Sequence, residues 1–326
     1  MKTFVDFHCD SILFTPPSDH GLPDSFEGKH WDIGRALKAH QTLQVMAMFT
    51  TVRACDTHRH SRNTTARILS YLELLRRTEE SRSNVVFVRW SEDLDRLDGT
   101  RLGLLASMED ATPIAPEDDI LPAMFRLGLR AIGFCWQGRN AFGDGAMVKR
   151  PRGLTERGKR LVRECEALKV LVDLSHLTPK GVDDVLSLAT RPVIASHSNA
   201  KAICGSPRNL SDEHIKAIAA SGGVIGINFF PTFLSDSGEA TIDDILRHIS
   251  HIASVGGIGC VGLGADLDGV GKLPAGISSV LDEPPLREVL KKQLGLSEAE
   301  ADGVMGGNWM RLLRTALPSR KKAFKA

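Results

Sequence analysis

The chain has 326 residues, 42% hydrophobic and 25% charged, an ordinary globular composition that excludes a disordered or fibrous protein. Its 41 Lys and Arg nearly cancel 40 Asp and Glu, so no net field favours nucleic acid or an anionic membrane over a neutral small molecule. No apolar run approaches the roughly 20 residues of a membrane span, and no apolar leader core precedes the strand-like start MKTFVDFHCD, so the chain is expected to be cytoplasmic.

Short apolar, β-branched runs predict strands at residues 3–9, 43–50, 102–108, 130–135, 170–174, 192–195, 223–228 and 260–265. They are nearly continuous in apolar residues rather than alternating, as parallel strands buried on both faces are. Helical patterns lie between them at 64–80, 120–127, 155–168, 179–188, 211–220 and 242–255, and residues 85–90 read as a ninth, peripheral strand. Ser211-Asp212-Glu213 is a good helix start, with acids on the positive end of the helix dipole; Thr155 before Glu156 is a weaker one. Strand and helix alternating eight times predict an α/β fold, a single (β/α)8 TIM barrel over residues 1–326, with an open doubly wound sheet as the alternative.

No internal repeat, low-complexity linker or composition break marks a second domain. The basic C-terminal tail, residues 314–326, reads as a solvated terminus. Cys9, Cys55, Cys135, Cys165, Cys204 and Cys260 form no C-x-x-C pair and read as free thiols of a reducing compartment.

The polar residues that follow the apolar runs carry the chemistry: His8-Cys9-Asp10, Glu109-Asp110, Trp136, Ser175-His176, Ser196-His197-Ser198 and Asp266-Leu267-Asp268-Gly269. In a barrel the C-terminal strand ends converge on one site. His8 and Asp10 stand two apart and share a strand face. A lone strand-end histidine is usually a hydrogen-bonded structural group, but three histidines and two acids at four strand ends are the nitrogen and oxygen mixture that zinc accepts. Two ions about 3.5 to 4 Å apart, sharing a water and a bridging carboxylate, would use them all. Glu109 is the natural bridge, its plainer reading being a capping or salt-bridged acid.

These residues sit in a series of motifs: FVDFHCD, the Glu109 segment, LGLRAIGFCWQGRNAFGDG, GLTERG, LVDLSH, PVIASHSN, PRNL, GLGADLDG and GGNWMR. Taken together and in order, they make the chain resemble the membrane (renal) dipeptidases, peptidase family M19, over nearly its whole length. The resemblance implies a binuclear zinc dipeptidase acting on small dipeptides, including those with a C-terminal D-residue. By it, His8, Asp10 and Glu109 would hold one Zn2+, with Glu109 bridging to a second held by His176 and His197. Asp266 takes the position of the family's proton shuttle, with Asp268 as the rival that more readily ties down the following loop. Arg208 matches a substrate-binding arginine that would grip a terminal carboxylate, and Asn209 would steady its loop.

Trp136 departs from the family pattern, standing where well-studied members carry a substrate-binding histidine. Indole donates one hydrogen bond but carries no charge near neutrality, so a bulkier or more apolar substrate is one reading and simple packing against a loop the other. A homodimer is compatible with the resemblance, while nucleic-acid and membrane partners are not expected. The competing functions are another amidohydrolase, such as an N-acyl amino acid hydrolase, and a catalytically silent metal-binding homologue. Against the first, the strand that often supplies a bridging lysine in such enzymes ends here in Cys135-Trp136.

Overall fold

A computed structural model describes residues 2–15, 20–50 and 60–323, so Cys55 lies outside the described residues. Its sheet contains β1 (Val5–Cys9), β2 (Leu43–Met48), β3 (Val85–Phe87), β4 (Leu102–Met108), β5 (Leu129–Gly133), β6 (Leu171–Asp173), β7 (Ile225–Ile227) and β8 (Val261–Leu263). Every ladder is parallel, and the strands follow the order β6-β5-β4-β2-β1-β8-β7. Residues 192–195, expected as a strand, make only isolated bridges, Asp173 to Ile194 and Ala195 to Ile225. Those bridges nonetheless join β6 to β7 and close the ring. Leu174 N–H donates to Ile194 O at 2.7 Å and Ala195 N–H to Val224 O at 3.1 Å. The stave is thin because Pro192 has no N–H to give and the Val193 N–H turns to Ser221 Oγ at 3.3 Å.

The peripheral strand is present as β3, which pairs with the first half of β4 through Val85–Leu102 and Phe87–Leu104. β5 takes the second half, from Ala106 to Met108, so one strand serves two neighbours in succession. The surrounding helices begin where side chains satisfy free N–H groups. Thr155, Thr178 and Ser211 accept from Gly158, Gly181 and His214 respectively, which makes the weaker start signal at Thr155 a working cap.

Inside the ring, Val5, Phe7, Leu43, Val45, Leu105, Ala131, Leu171, Ile194 and Val224 form one buried cluster drawn from staves on all sides. The helix Asn308–Ala316 seals this end with Trp309, whose ring stacks on Phe7 at 3.7 Å and whose indole N–H donates to Leu263 O at 2.9 Å. Gly262 makes room for it, since a Cβ there would fall 2.2 Å from Trp309 Nε1. The described part of the tail is tethered through exposed and part-exposed side chains: Arg314 pairs with Asp95 at 2.7 Å, Ser319 Oγ donates to Glu92 and Arg320 meets Asp93 at 3.0 Å. Among the described residues no helix is long and apolar enough to cross a membrane.

Candidate metal centre

β1 carries one residue more than its partner needs. Its register runs Val5–Leu43 and Asp6–Gln44 and then jumps to Cys9–Met46, the signature of a β-bulge. A regular strand would put Asp6, His8 and Asp10 on one face. Here Asp6 instead takes Gln44 Nε2 at 3.0 Å and the Ala265 N–H at 2.7 Å, while His8 turns into the barrel mouth.

At the mouth the side chains singled out in the sequence converge, all of them buried. His8 Nε2 lies 3.6 Å from Asp10 Oδ2, 3.6 Å from Glu109 Oε1 and 3.9 Å from Asp266 Oδ1. His176 Nε2 lies 2.9 Å from Glu109 Oε1 and 2.8 Å from His197 Nε2. Two groups could each hold an ion, His8 with Glu109 and His197, and His8 with Asp10 and Asp266. Asp266 therefore stands close enough to be a ligand as well as a proton carrier.

Three observations fit divalent cations here. His8 Nε2 is buried without a hydrogen-bond partner. Its 3.6 Å separations are too long for hydrogen bonds, yet two ligands each about 2.1 Å from a shared ion at a tetrahedral angle stand about 3.4 Å apart. The carboxylates of Asp10, Glu109 and Asp266 are buried together, and the guanidinium of Arg208 acts on only Glu109 and Asp266 of the three, so the acids outnumber the permanent cation beside them.

The proton positions around His197 fit a cation as well. Asp173 Oδ1 accepts the N–H groups of Ser175 and Ser196 at 3.0 and 2.9 Å, and its Oδ2 accepts the Ser196 hydroxyl at 2.5 Å. With its one proton committed, Ser196 Oγ can only accept from His197 Nδ1 at 2.7 Å. His197 is thereby fixed as the Nδ1–H tautomer and its Nε2 lone pair is aimed at the centre, the arrangement a metal ligand needs. Sequence reasoning missed Asp173 in this role, although it ends β6 as a polar residue beside the Ser-His pair.

Burial dominates the titration of the group. It pushes His176 and His197 well below the ordinary histidine value, leaving both neutral with lone pairs available. It pushes Asp10 up to about 8 and raises Glu109 as well. For His8 burial acts downward, but the carboxylates of Asp10, Glu109 and Asp266 outweigh it and lift the imidazole to about 10.

The backbone is strained at the same place. His176, Asp266 and Asp268 have φ of 69°, 63° and 64°, a left-handed conformation that residues with a Cβ seldom adopt. Asn228 Nδ2 holds Asp266 Oδ2 at 2.9 Å, a support not singled out from the sequence although Asn228 ends the predicted strand 223–228. Asp268 accepts the His30 N–H at 2.8 Å and the Ser11 hydroxyl, so it secures the loop rather than facing free into the site. Gly269 leaves no space for a methyl group: a Cβ would lie 2.1 Å from Asp266 Oδ1 and 2.2 Å from Asp10 Oδ2.

Over this floor opens a cavity of about 290 Å³ whose walls include Phe49, Trp136, Phe230 and Phe233. Trp136 packs on Phe49 with ring centres 4.7 Å apart, and its backbone N–H donates to Asp110. Arg208 is not part of that wall; it stacks on Phe233 at 5.4 Å and donates to His197 O at 3.2 Å. Its Nε is buried without a partner, and burial lowers its pKa to about 10. Asn209 Nδ2 donates to Cys204 O and Phe233 O, which steadies the loop as expected.

The model of the membrane dipeptidase family, peptidase family M19, matches residues 3–324. An uncharacterized protein in the pqqA 5′ region of Klebsiella pneumoniae is 36% identical over 223 residues, 65% of this chain and 82% of the relative. An uncharacterized dipeptidase of Schizosaccharomyces pombe is 35% identical over 215 residues, 65% of this chain and 52% of the relative, so the matched stretch spans about half of that protein. A metallo peptidase from Rhodobacter sphaeroides, solved with a phosphinate mimic of the dipeptide L-Ala-D-Ala, superposes with a TM-score of 0.87 at 28% identity over 96% of this chain and 99% of its own. Dipeptidase AC, a metallo peptidase of family M19, superposes with a TM-score of 0.88 at 29% identity over 97% and 99%.

Proposed function

The chain belongs to the membrane dipeptidase family, peptidase family M19, and from that premise we propose that it is a binuclear zinc dipeptidase. In this reading His8, Asp10 and Glu109 hold one ion, and Glu109, His176 and His197 hold the other. The observation that carries it is the convergence of buried imidazoles and carboxylates on one point, with the His197 lone pair aimed there and His8 Nε2 unpartnered. Ions in these positions would lower the pKa of a shared water and polarise the substrate carbonyl.

The chain's own side chains do the rest. Asp266, fixed through Oδ2 by Asn228, has Oδ1 toward the centre, where it takes a proton from the attacking water and hands it to the departing nitrogen. Arg208, stacked behind Phe233, keeps a buried Nε–H without a partner, and this reading assigns that donor to the terminal carboxylate of the dipeptide. Trp136 supplies wall rather than charge, so carbonyl activation falls to the metal centre.

The apolar wall supports a second reading, an N-acyl amino acid in place of the dipeptide, with the acyl group against the aromatic rings. We place the protein in the cytoplasm because the described cysteines, Cys9, Cys135, Cys165, Cys204 and Cys260, are unpaired. A homodimer is the expected assembly, to be read by sedimentation velocity.

Metal content by plasma emission, measured with amino acid release from L,L- and L,D-dipeptides, tests the proposal. Two zincs per chain with dipeptide turnover support it. Two zincs with cleavage of N-acyl amino acids only favour the second reading, and a metal-free protein sinks both.

A further inference from the structure

The cavity walls carry a chemistry that hydrolysis alone does not require. The floor is polar, yet Phe49 and Trp136 form a ring pair on one side, and Phe230 meets Phe233 edge to face at 4.9 Å on the other. All four rings stay part-exposed although each adjoins buried core, and Phe14 at the mouth is 47% exposed. A ligand that covered them would remove apolar surface from water.

The two ring pairs have different neighbours. The Trp136 ring lies 6.1 Å from that of His176, beside the candidate metal centre, whereas Phe233 stacks on Arg208. With a terminal carboxylate at Arg208 and the scissile carbonyl at the centre, the C-terminal residue runs along Phe230 and Phe233. The side chain next to the scissile carbonyl belongs to the N-terminal residue, and it falls against Phe49 and Trp136. Among the described residues no lysine or arginine lines the cavity, and the nearby cations are on other walls, Arg208 behind Phe233 and Lys29 over Phe14, so an acidic side chain beside Phe49 and Trp136 finds no partner. Asp268, which does line it, is already engaged by His30 and Ser11.

Resting on the dipeptidase reading, we propose that the Phe49–Trp136 pair is a pocket for a bulky apolar N-terminal side chain, making this a dipeptidase for dipeptides that begin with residues such as phenylalanine or leucine. Trp136 is the specificity-determining residue.

The test holds the C-terminal residue constant and compares Phe-Ala, Leu-Ala, Ala-Ala, Gly-Ala, Asp-Ala and Lys-Ala as substrates of the metal-loaded protein. kcat/KM for Phe-Ala and Leu-Ala should exceed that for Gly-Ala and Asp-Ala by about tenfold or more. In Trp136→Ala that ratio should shrink toward unity, chiefly through KM for the apolar substrates. Calorimetry with phosphinate mimics of Phe-Ala and Gly-Ala should show the same order in Kd without turnover. Equal rates across the series, a preference for charged N-terminal residues, or a preference unchanged in Trp136→Ala would overturn the pocket while leaving the dipeptidase reading intact. Failure to cleave any of the six would overturn that reading, and this inference with it.

Discussion

The two ends of the barrel are built on opposite principles. At the end sealed by Trp309, apolar side chains from staves all round the ring fill the space, an indole stacks on Phe7, and its one polar atom is satisfied by Leu263 O. At the mouth, a few residues further along the same strands, acids crowd together, His8 Nε2 has no partner, and three residues hold left-handed backbone. The first end lowers the free energy of the fold, whereas the second raises it and keeps a constellation that only a cation and a substrate would relieve. Conserved contacts are not needed to tell the ends apart; the direction of the energetics does so.

Substitutions should break this contrast in a graded way. The largest effect on turnover is expected from Asp266→Asn, at least about a hundredfold in kcat, with Tm and metal content nearly unchanged; a large drop in Tm would make Asp266 a structural residue instead. Trp309→Ala at the sealed end should do the converse, costing about 3 to 5 kcal/mol of unfolding free energy in denaturant titration while kcat per folded molecule holds.

A subtler pair separates geometry from proton polarity at the mouth. Asp173→Asn would donate an amide N–H to Ser196 Oγ, force the hydroxyl proton toward His197 Nδ1 and leave Nε2–H pointing at the centre. Metal affinity should fall about tenfold to a hundredfold, and 15N spectra of the metal-free protein should show the other His197 tautomer. Ser196→Ala only deletes the link and should weaken binding less. Equal losses in the two variants would refute the relay.

The pH dependence follows from the raised values of Asp10, about 8, and His8, about 10, in the metal-free protein. Both groups bind protons more tightly folded than unfolded, so the stability they give is complete below their unfolded values and is lost as pH rises toward 8 and 10. Below about pH 6.5 the lowered values of His176 and His197 act the other way, so the fall in Tm of chelator-treated protein should appear between pH 7 and pH 9. Metal uptake should release protons near pH 7, readable by calorimetry in buffers of different ionisation enthalpy. The smallest effect belongs to Arg314→Ala, whose exposed pair with Asp95 should be worth less than about 1 kcal/mol.

What the sequence made legible was whatever depends on composition along a strand. Apolar runs placed the staves, and the polar residues after them named His8, Asp10, Glu109, His176, His197 and Asp266, which meet at the mouth. What it hid depends on backbone hydrogen bonds and on contacts between distant segments. Pro192 thins a stave that still closes the ring, and the tail is pinned by acids more than two hundred residues away in the chain. Asp173 and Asn228 look like ordinary polar strand ends until their partners are known. The ring pairs around the cavity come from Phe49, Trp136, Phe230 and Phe233, which no local pattern connects.

The irregularity in β1 has a consequence for insertions and deletions. Strict alternation lets a strand send inward either Phe7 or His8; the extra residue lets it send both, one to the stack with Trp309 and one to the mouth. Removing residue 7 would restore a regular ladder with the imidazole in place and the floor of the barrel emptied, and removing residue 8 would spare the floor and empty the centre. Two requirements, one of persistence and one of reactivity, are separated here by a single peptide bond, so β1 should accept changes in the identity of its residues more readily than any change in their number.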